Sequence, residues 1–100
     1  MLAAPPDPMV DADQVLGRAP RALWRSGSFG VVVLAPGAPV PIALEGSGAA
    51  LWDALDLPKS RRELVTELAD RYASSPATIA ADIAPVIDEL VELGVLELDR

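Results

Sequence analysis

A chain with neither cysteine nor histidine lacks most of the side chains that do chemistry near neutral pH. Without Cys there is no thiol nucleophile, no disulfide and no thiolate metal ligand. Without His the usual general base and the commonest nitrogen ligand are missing too. The polar groups left are carboxylates, the single tyrosine Tyr72, some Ser and Thr, and Lys and Arg. Carboxylates can catalyse alone, but only as a positioned pair, and no two acids here are spaced to suggest one. The bases gather as Arg18, Arg21 and Arg25 and as Lys59, Arg61 and Arg62, and most of them read as solvated surface charge. These residue types point to binding rather than catalysis, with no metal and no cofactor.

The charge balance narrows the partner. Fifteen acids stand against eight bases, a net charge of −7. A protein that grips a nucleic-acid duplex neutralises several phosphates with Lys and Arg, so DNA and RNA are not expected. No apolar run reaches the roughly 20 residues of a membrane span. The start of the chain lacks the basic and long apolar stretches of a signal peptide, so the expectation is a cytoplasmic protein without a membrane partner. One hundred residues, 51% of them apolar, suffice for one modest core. Aromatic residues make up only 4%, so aliphatic side chains and Ala must fill it.

The elements follow from periodicity and punctuation. Residues 1–14, with Pro5, Pro6, Pro8 and three Asp, have no periodicity and read as a disordered tail before a domain over 15–100. Short strands come next. Leu23–Arg25 stops at Ser26-Gly27-Ser28, and Phe29–Leu34 is apolar and β-branched until Ala35-Pro36-Gly37. Val40–Leu44 then alternates, with Val40, Ile42 and Leu44 on one face. Tight connections join these as a three-stranded antiparallel meander.

After Leu44 the period becomes helical. Ser47 is placed to cap a helix over Gly48–Leu55 with Leu51, Trp52 and Leu55 inward, and Asp56-Leu57-Pro58-Lys59 breaks it. Ser60-Arg61-Arg62-Glu63 is a capping box, followed by Leu64, Val65, Leu68 and Tyr72 at helical spacing. Ser75 caps a third helix with Pro76 at its first position. Its apolar stripe is Ile79, Ile83, Val86, Ile87 and Leu90, and Asp82, Asp88, Glu89 and Glu92 make much of the rest acidic. Pro85 is expected to kink it, Gly94 to stop it, and Val95–Leu98 to end as a short strand or extended tail. The fold class is α+β: a three-stranded antiparallel sheet followed by three helices, in the manner of a winged helix-turn-helix.

Three stretches in this order resemble the PqqD-like peptide chaperones, the precursor-peptide recognition elements. Leu44-Glu45-Gly46-Ser47-Gly48-Ala49-Ala50-Leu51-Trp52-Asp53-Ala54-Leu55 is similar to the start of that family's first helix. Arg62-Glu63-Leu64-Val65 through Leu68, Arg71 and Tyr72 resembles its second. Asp82-Ile83 through Leu90 and Leu93-Gly94-Val95-Leu96 resembles its third helix and close. The resemblance as a whole covers roughly Leu23 to Leu96. The resemblance implies a domain that binds the leader of a ribosomally made precursor peptide as an added strand. It then presents that leader to a modifying enzyme, such as a radical-SAM enzyme or a leader protease. Carried over by position, the edge lies within Pro39 to Glu45, at Val40, Pro41, Ile42, Ala43, Leu44 and Glu45. The helical wall is Asp82, Ile83, Val86, Ile87 and Leu90, whose apolar members also fit a plain core.

Pro39 and Pro41 depart from an ideal docking strand, because neither donates an amide. They imply either docking shifted toward Ala43–Glu45 or weak binding, and prolines of this kind also guard edges against unwanted pairing. Two other readings fit the same fold. One is an interaction module that contacts a partner enzyme without binding peptide. The other is a winged-helix DNA-binding regulator, which needs a basic recognition helix, whereas the third helix carries no Lys or Arg. An exposed third strand can also pair with its twin, giving a homodimer.

Overall fold

The computed structural model describes residues 12–99. The elements run β1 (Val15–Arg18), β2 (Leu23–Gly27), β3 (Gly30–Leu34), β4 (Ile42–Leu44), α1 (Ser47–Ala54), β5 (Lys59–Ser60), α2 (Arg61–Tyr72), α3 (Pro76–Glu92) and β6 (Leu96–Asp99). The tail expected over 1–14 lies outside the described residues as far as Asp11. Ala12–Gln14, by contrast, are held against the domain. Ala12 is buried, its carbonyl accepts from the Arg62 amide at 2.9 Å, and that of Gln14 accepts from Arg61 at 2.8 Å.

The expected meander is present as β2-β3-β4, antiparallel throughout. Its third strand is shorter than the alternation suggested. Val40 lies outside β4 and is 67% exposed. The ladder ends at Val33 opposite Ile42, because the chain turns at Ala35–Ala38, where the Ala38 amide donates to the Ala35 carbonyl at 3.0 Å, and leaves Val40 no partner in β3. Within β4 the alternation holds, with Leu44 buried, Ile42 half-buried and Ala43 exposed.

A second antiparallel sheet, β5-β1-β6, was not anticipated. Its middle strand, β1, pairs Val15 and Leu16 with β5 and runs its whole length against β6, from Val15 opposite Asp99 to Arg18 opposite Leu96. The architecture is therefore more than three strands followed by three helices. The first and last strands of the described residues form a sheet of their own, joined by the short β5 between α1 and α2.

The helices start and stop much as their sequences dictate. At α2 the Glu63 amide donates to Ser60 Oγ at 3.1 Å and the Ser60 amide to Glu63 Oε1 at 3.0 Å, which closes the capping box. At α3 the Thr78 amide donates to Ser75 Oγ at 3.2 Å. Helix α1 differs: Gly46, at φ 56°, takes the cap position, no side chain caps it, and Ser47 is already helical. Both long helices end in paired 6→1 and 5→2 hydrogen bonds. Val95 donates to Leu90 and Gly94 to Val91 after α3, and Ser74 donates to Ala69 and Ala73 to Asp70 after α2. Helix α3 continues past Pro85 to Glu92. Both sheets and all three helices contribute to one core, in which Leu16, Val33, Leu51, Trp52, Leu64 and Ile87 are fully enclosed.

Candidate functional site

Among the described residues β4 is an edge strand, paired on one side only. Which of its polar groups face outward follows from its neighbours. A Cβ placed on Gly30, at φ +111°, would lie 2.5 Å from the Leu44 carbonyl oxygen. That carbonyl therefore turns toward β3, and only a glycine admits so close an approach. Alternation then turns the amide and carbonyl of Ala43 to the open side. Pro41 shares that phase and offers a carbonyl alone. Glu45 follows in the same phase, but its carbonyl already accepts from the Gly48 amide at 3.1 Å.

Just beyond β4, a cavity of about 340 Å³ opens between the start of α1, the end of α2 and the first turns of α3. It lies at the small end of ligand-pocket sizes, roughly 300–1,000 Å³. Leu68, Ile79 and Ile83 supply its apolar wall, while Tyr72, Ser74, Asp82, Gly46 and Ser47 bring polar groups. Tyr72 is exposed at the last turn of α2, with the Arg71 guanidinium 5.9 Å from its ring centroid.

The eleven candidate residues divide by position. Ala43 and Glu45 are exposed at the edge, and Pro41 and Val40 are exposed ahead of it. Leu44 is buried and Ile42 half-buried, both turned toward the core side of the sheet. Asp82 and Ile83 meet in the cavity. Val86 is half-buried against the core, and Ile87 and Leu90 are enclosed within it; none of the three lines the cavity. Sequence reasoning missed Leu68, Tyr72, Ser74, Ile79, Gly46 and Ser47 as cavity residues. Tyr72 had a signal: a tyrosine closing a helix beside Ser74-Ser75-Pro76 has one flank open. Among the described residues no His, Cys, Asp or Glu group could hold a metal ion, and no helix is long and apolar enough to cross a membrane.

A small α+β domain with an open strand edge beside a helix-lined cavity is the geometry of a peptide-recognition domain. The fold is similar to the solution structure of the PqqD truncation of Methylobacterium extorquens PqqCD, described as a functional, stand-alone recognition element for ribosomally synthesised and post-translationally modified peptides. The TM-score is 0.69 at 24% identity, over 91% of this chain and 98% of that one. Residues 30–96 match the family described as Coenzyme PQQ synthesis protein D (PqqD), and the chain belongs to that family. No curated protein matches it.

Proposed function

We propose that this protein recognises the leader of a ribosomally made precursor peptide by strand addition to β4, on a frame of winged-helix type, and presents it to a modifying enzyme or a leader protease. Family membership supports peptide recognition in general. The observation that supports the specific mode is that Ala43, the one β4 residue with both main-chain groups turned outward, is followed closely along the chain by Gly46 and Ser47, which line the cavity together with Ile79, Asp82 and Ile83 of α3.

The energetics divide between these two parts. A main-chain hydrogen bond is worth about 0.5–1.5 kcal/mol net, so Ala43 supplies little by itself. An apolar side chain fully buried is worth about 1.5–3 kcal/mol. The leader is therefore held chiefly by a side chain seated against Leu68, Ile79 and Ile83, and β4 sets its direction and register. Asp82 at the rim favours a basic residue nearby.

The test is a fluorescence-anisotropy titration of a labelled leader peptide encoded beside this protein's gene. Saturable binding that weakens with Ala43→Pro and with the exposed change Asp82→Lys, in proteins with unaltered circular dichroism, supports the reading. Binding that neither change affects refutes it, as does loss of binding through residues of the β5-β1-β6 sheet.

A further inference from the structure

The sheet has a second open edge, and it is the better one. Among the described residues β2 is paired only with β3; it contains no proline, and all five of its residues are exposed. A two-residue connection closes on a hydrogen-bonded pair, here Gly27 with Gly30. By alternation Arg25 and Leu23 also bond to β3, and the amides and carbonyls of both Trp24 and Ser26 turn to the open side. β2 thus offers two complete donor–acceptor residues where β4 offers one within its strand.

The side chains around this edge carry two further signals. Leu23 stands opposite Leu34, and Arg25 opposite Val32, on the face of the sheet turned away from the core. On that face the Phe29 ring lies over Gly27, with Cε1 2.5 Å from where a Cβ would stand. Leu23 is 68% exposed and Phe29 56%, so an apolar strip runs along the edge uncovered by any described residue. Arg21, just ahead of β2, and Arg25 within it are both exposed, in a molecule whose net charge is −7. Among the described residues neither takes part in an ion pair.

We propose that β2 is a second docking edge, taken by an extended segment of a protein partner that carries an apolar and an acidic side chain two residues apart. Two residues is the spacing that returns a strand's side chains to one face, which sets the apolar one beside Leu23 and the carboxylate beside Arg25. An added strand pairs with the main-chain groups of Trp24 and Ser26 in place of the water that otherwise hydrates them. A second copy of the chain is a poor occupant, since its own β2 brings two more arginines' worth of charge nearby and no carboxylate. This site is independent of the leader reading and leaves β4 free, so a leader and a second protein segment can be held on opposite edges of one sheet.

The experiment is an NMR titration of the isotope-labelled protein with a synthetic peptide that alternates Thr with, in the other phase, Val and Glu. A second peptide replaces each Glu by Lys. The expected result is amide shifts at Trp24, Arg25 and Ser26 with β4 and α3 unmoved, and weaker binding of the Lys peptide. Arg21→Glu combined with Arg25→Glu, both at exposed positions, should lower affinity for the Glu peptide by about tenfold, from two exposed charge pairs reversed. Ser26→Pro removes one outward amide without touching the β3 ladder and should abolish binding. Silence of the β2 amides at millimolar peptide, equal affinity for the Lys peptide, shifts confined to β4, or a concentration-dependent dimer joined through β2 would each overturn the proposal.

Discussion

Arg18 fastens the two sheets to α1, and removing it should cost far more than an ordinary surface arginine. Its Nε and Nη2 donate to the Trp52 carbonyl at 3.0 and 2.6 Å, an acceptor in the last turn of α1 where a cation is favoured. The guanidinium carbon lies 4.5 Å from the Trp24 ring centroid and 5.1 Å from that of Trp52. The two rings meet edge to face at 6.1 Å and 69°. One residue of the β5-β1-β6 sheet thereby holds a residue of β2 and the centre of the core together. A hydrogen bond from a charged donor is worth about 1.5–3 kcal/mol, and each cation–π contact about 0.5–1 kcal/mol or more when desolvated. Against this, partial burial pushes the Arg18 pKa down, while Asp53 and Asp56 oppose that shift, so dehydration of the cation offsets part of the gain. The net expectation is about 2 kcal/mol lost in Arg18→Ala, or roughly 10 °C in Tm for a domain this size.

Arg18→Lys keeps the charge but loses the planar fork and the stacking, and should lose about 1–1.5 kcal/mol. Urea unfolding followed by far-ultraviolet circular dichroism measures both, since tryptophan fluorescence would itself respond to the missing cation. Pairing Arg18→Lys with Trp24→Leu in a double-mutant cycle should give a coupling of about 0.5–1 kcal/mol. An Arg18→Ala protein within about 0.5 kcal/mol of the parent, the range of unremarkable surface changes, would refute the anchoring argument.

Gly30→Ala should detach β4, because the added Cβ meets the Leu44 carbonyl at 2.5 Å and φ is +111°; a loss above about 2 kcal/mol is expected, with exchange protection falling first in β4. Ala73→Gly should stabilise by about 0.5–1 kcal/mol in thermal melts, since Ala73 holds the left-handed position ending α2 at φ 51°, where alanine is strained. Glu63 is held below the ordinary glutamate range, first by the Ser60 amide and then by its hydroxyl, with Lys59 assisting against slight desolvation. A depressed folded-state pKa gives a contribution complete above the unfolded value and lost as pH falls through the folded one. The stability difference between the parent and Glu63→Gln should therefore shrink on the acid side of the usual glutamate range. Pro41→Val restores an outward amide in the phase of Ala43, and leader affinity should rise about two- to tenfold by anisotropy.

Much of the meander and all three helices were readable because their signals are local. The alternation in Ile42–Leu44, the Ser26–Ser28 turn cluster and the caps at Ser60 and Ser75 each act within a few residues. β1 was not readable as a defined strand. Val15-Leu16-Gly17-Arg18 has no clean alternation, and it is a strand because β6, some eighty residues later, and β5 close on both its sides. Arg18 resembled its neighbours Arg21 and Arg25 as surface charge for the same reason: the ring faces that hold it arrive from β2 and α1. In the candidate site, Asp82 and Ile83 came from a stripe that also contains Ile87 and Leu90. A stripe shows which side of α3 faces inward. It does not show which of its members border a cavity, and that falls to Ile79 and Ile83 near the first turns, where α1 and α2 leave a gap.

The two edges of the β2-β3-β4 sheet are unequal in a way that bears on how a carrier of peptides works. Under the proposed function the leader takes the poorer edge, where Pro41 withholds a donor and the strand is three residues long. Weak main-chain pairing leaves most of the affinity to one seated side chain, so the leader exchanges quickly once that side chain is drawn out of the cavity. An enzyme that accepts the leader need only compete for that contact. The richer β2 edge, with its unpaired arginines and apolar strip, is suited to the longer-lived association, because there the backbone itself supplies the grip. A long β4 free of prolines would bind leaders more tightly and also expose a pairing edge to every other chain. On this argument Pro39 and Pro41 limit affinity where release is needed and limit unwanted pairing at the same time, and Pro41→Val should show both effects together: tighter leader binding and a greater tendency to self-associate.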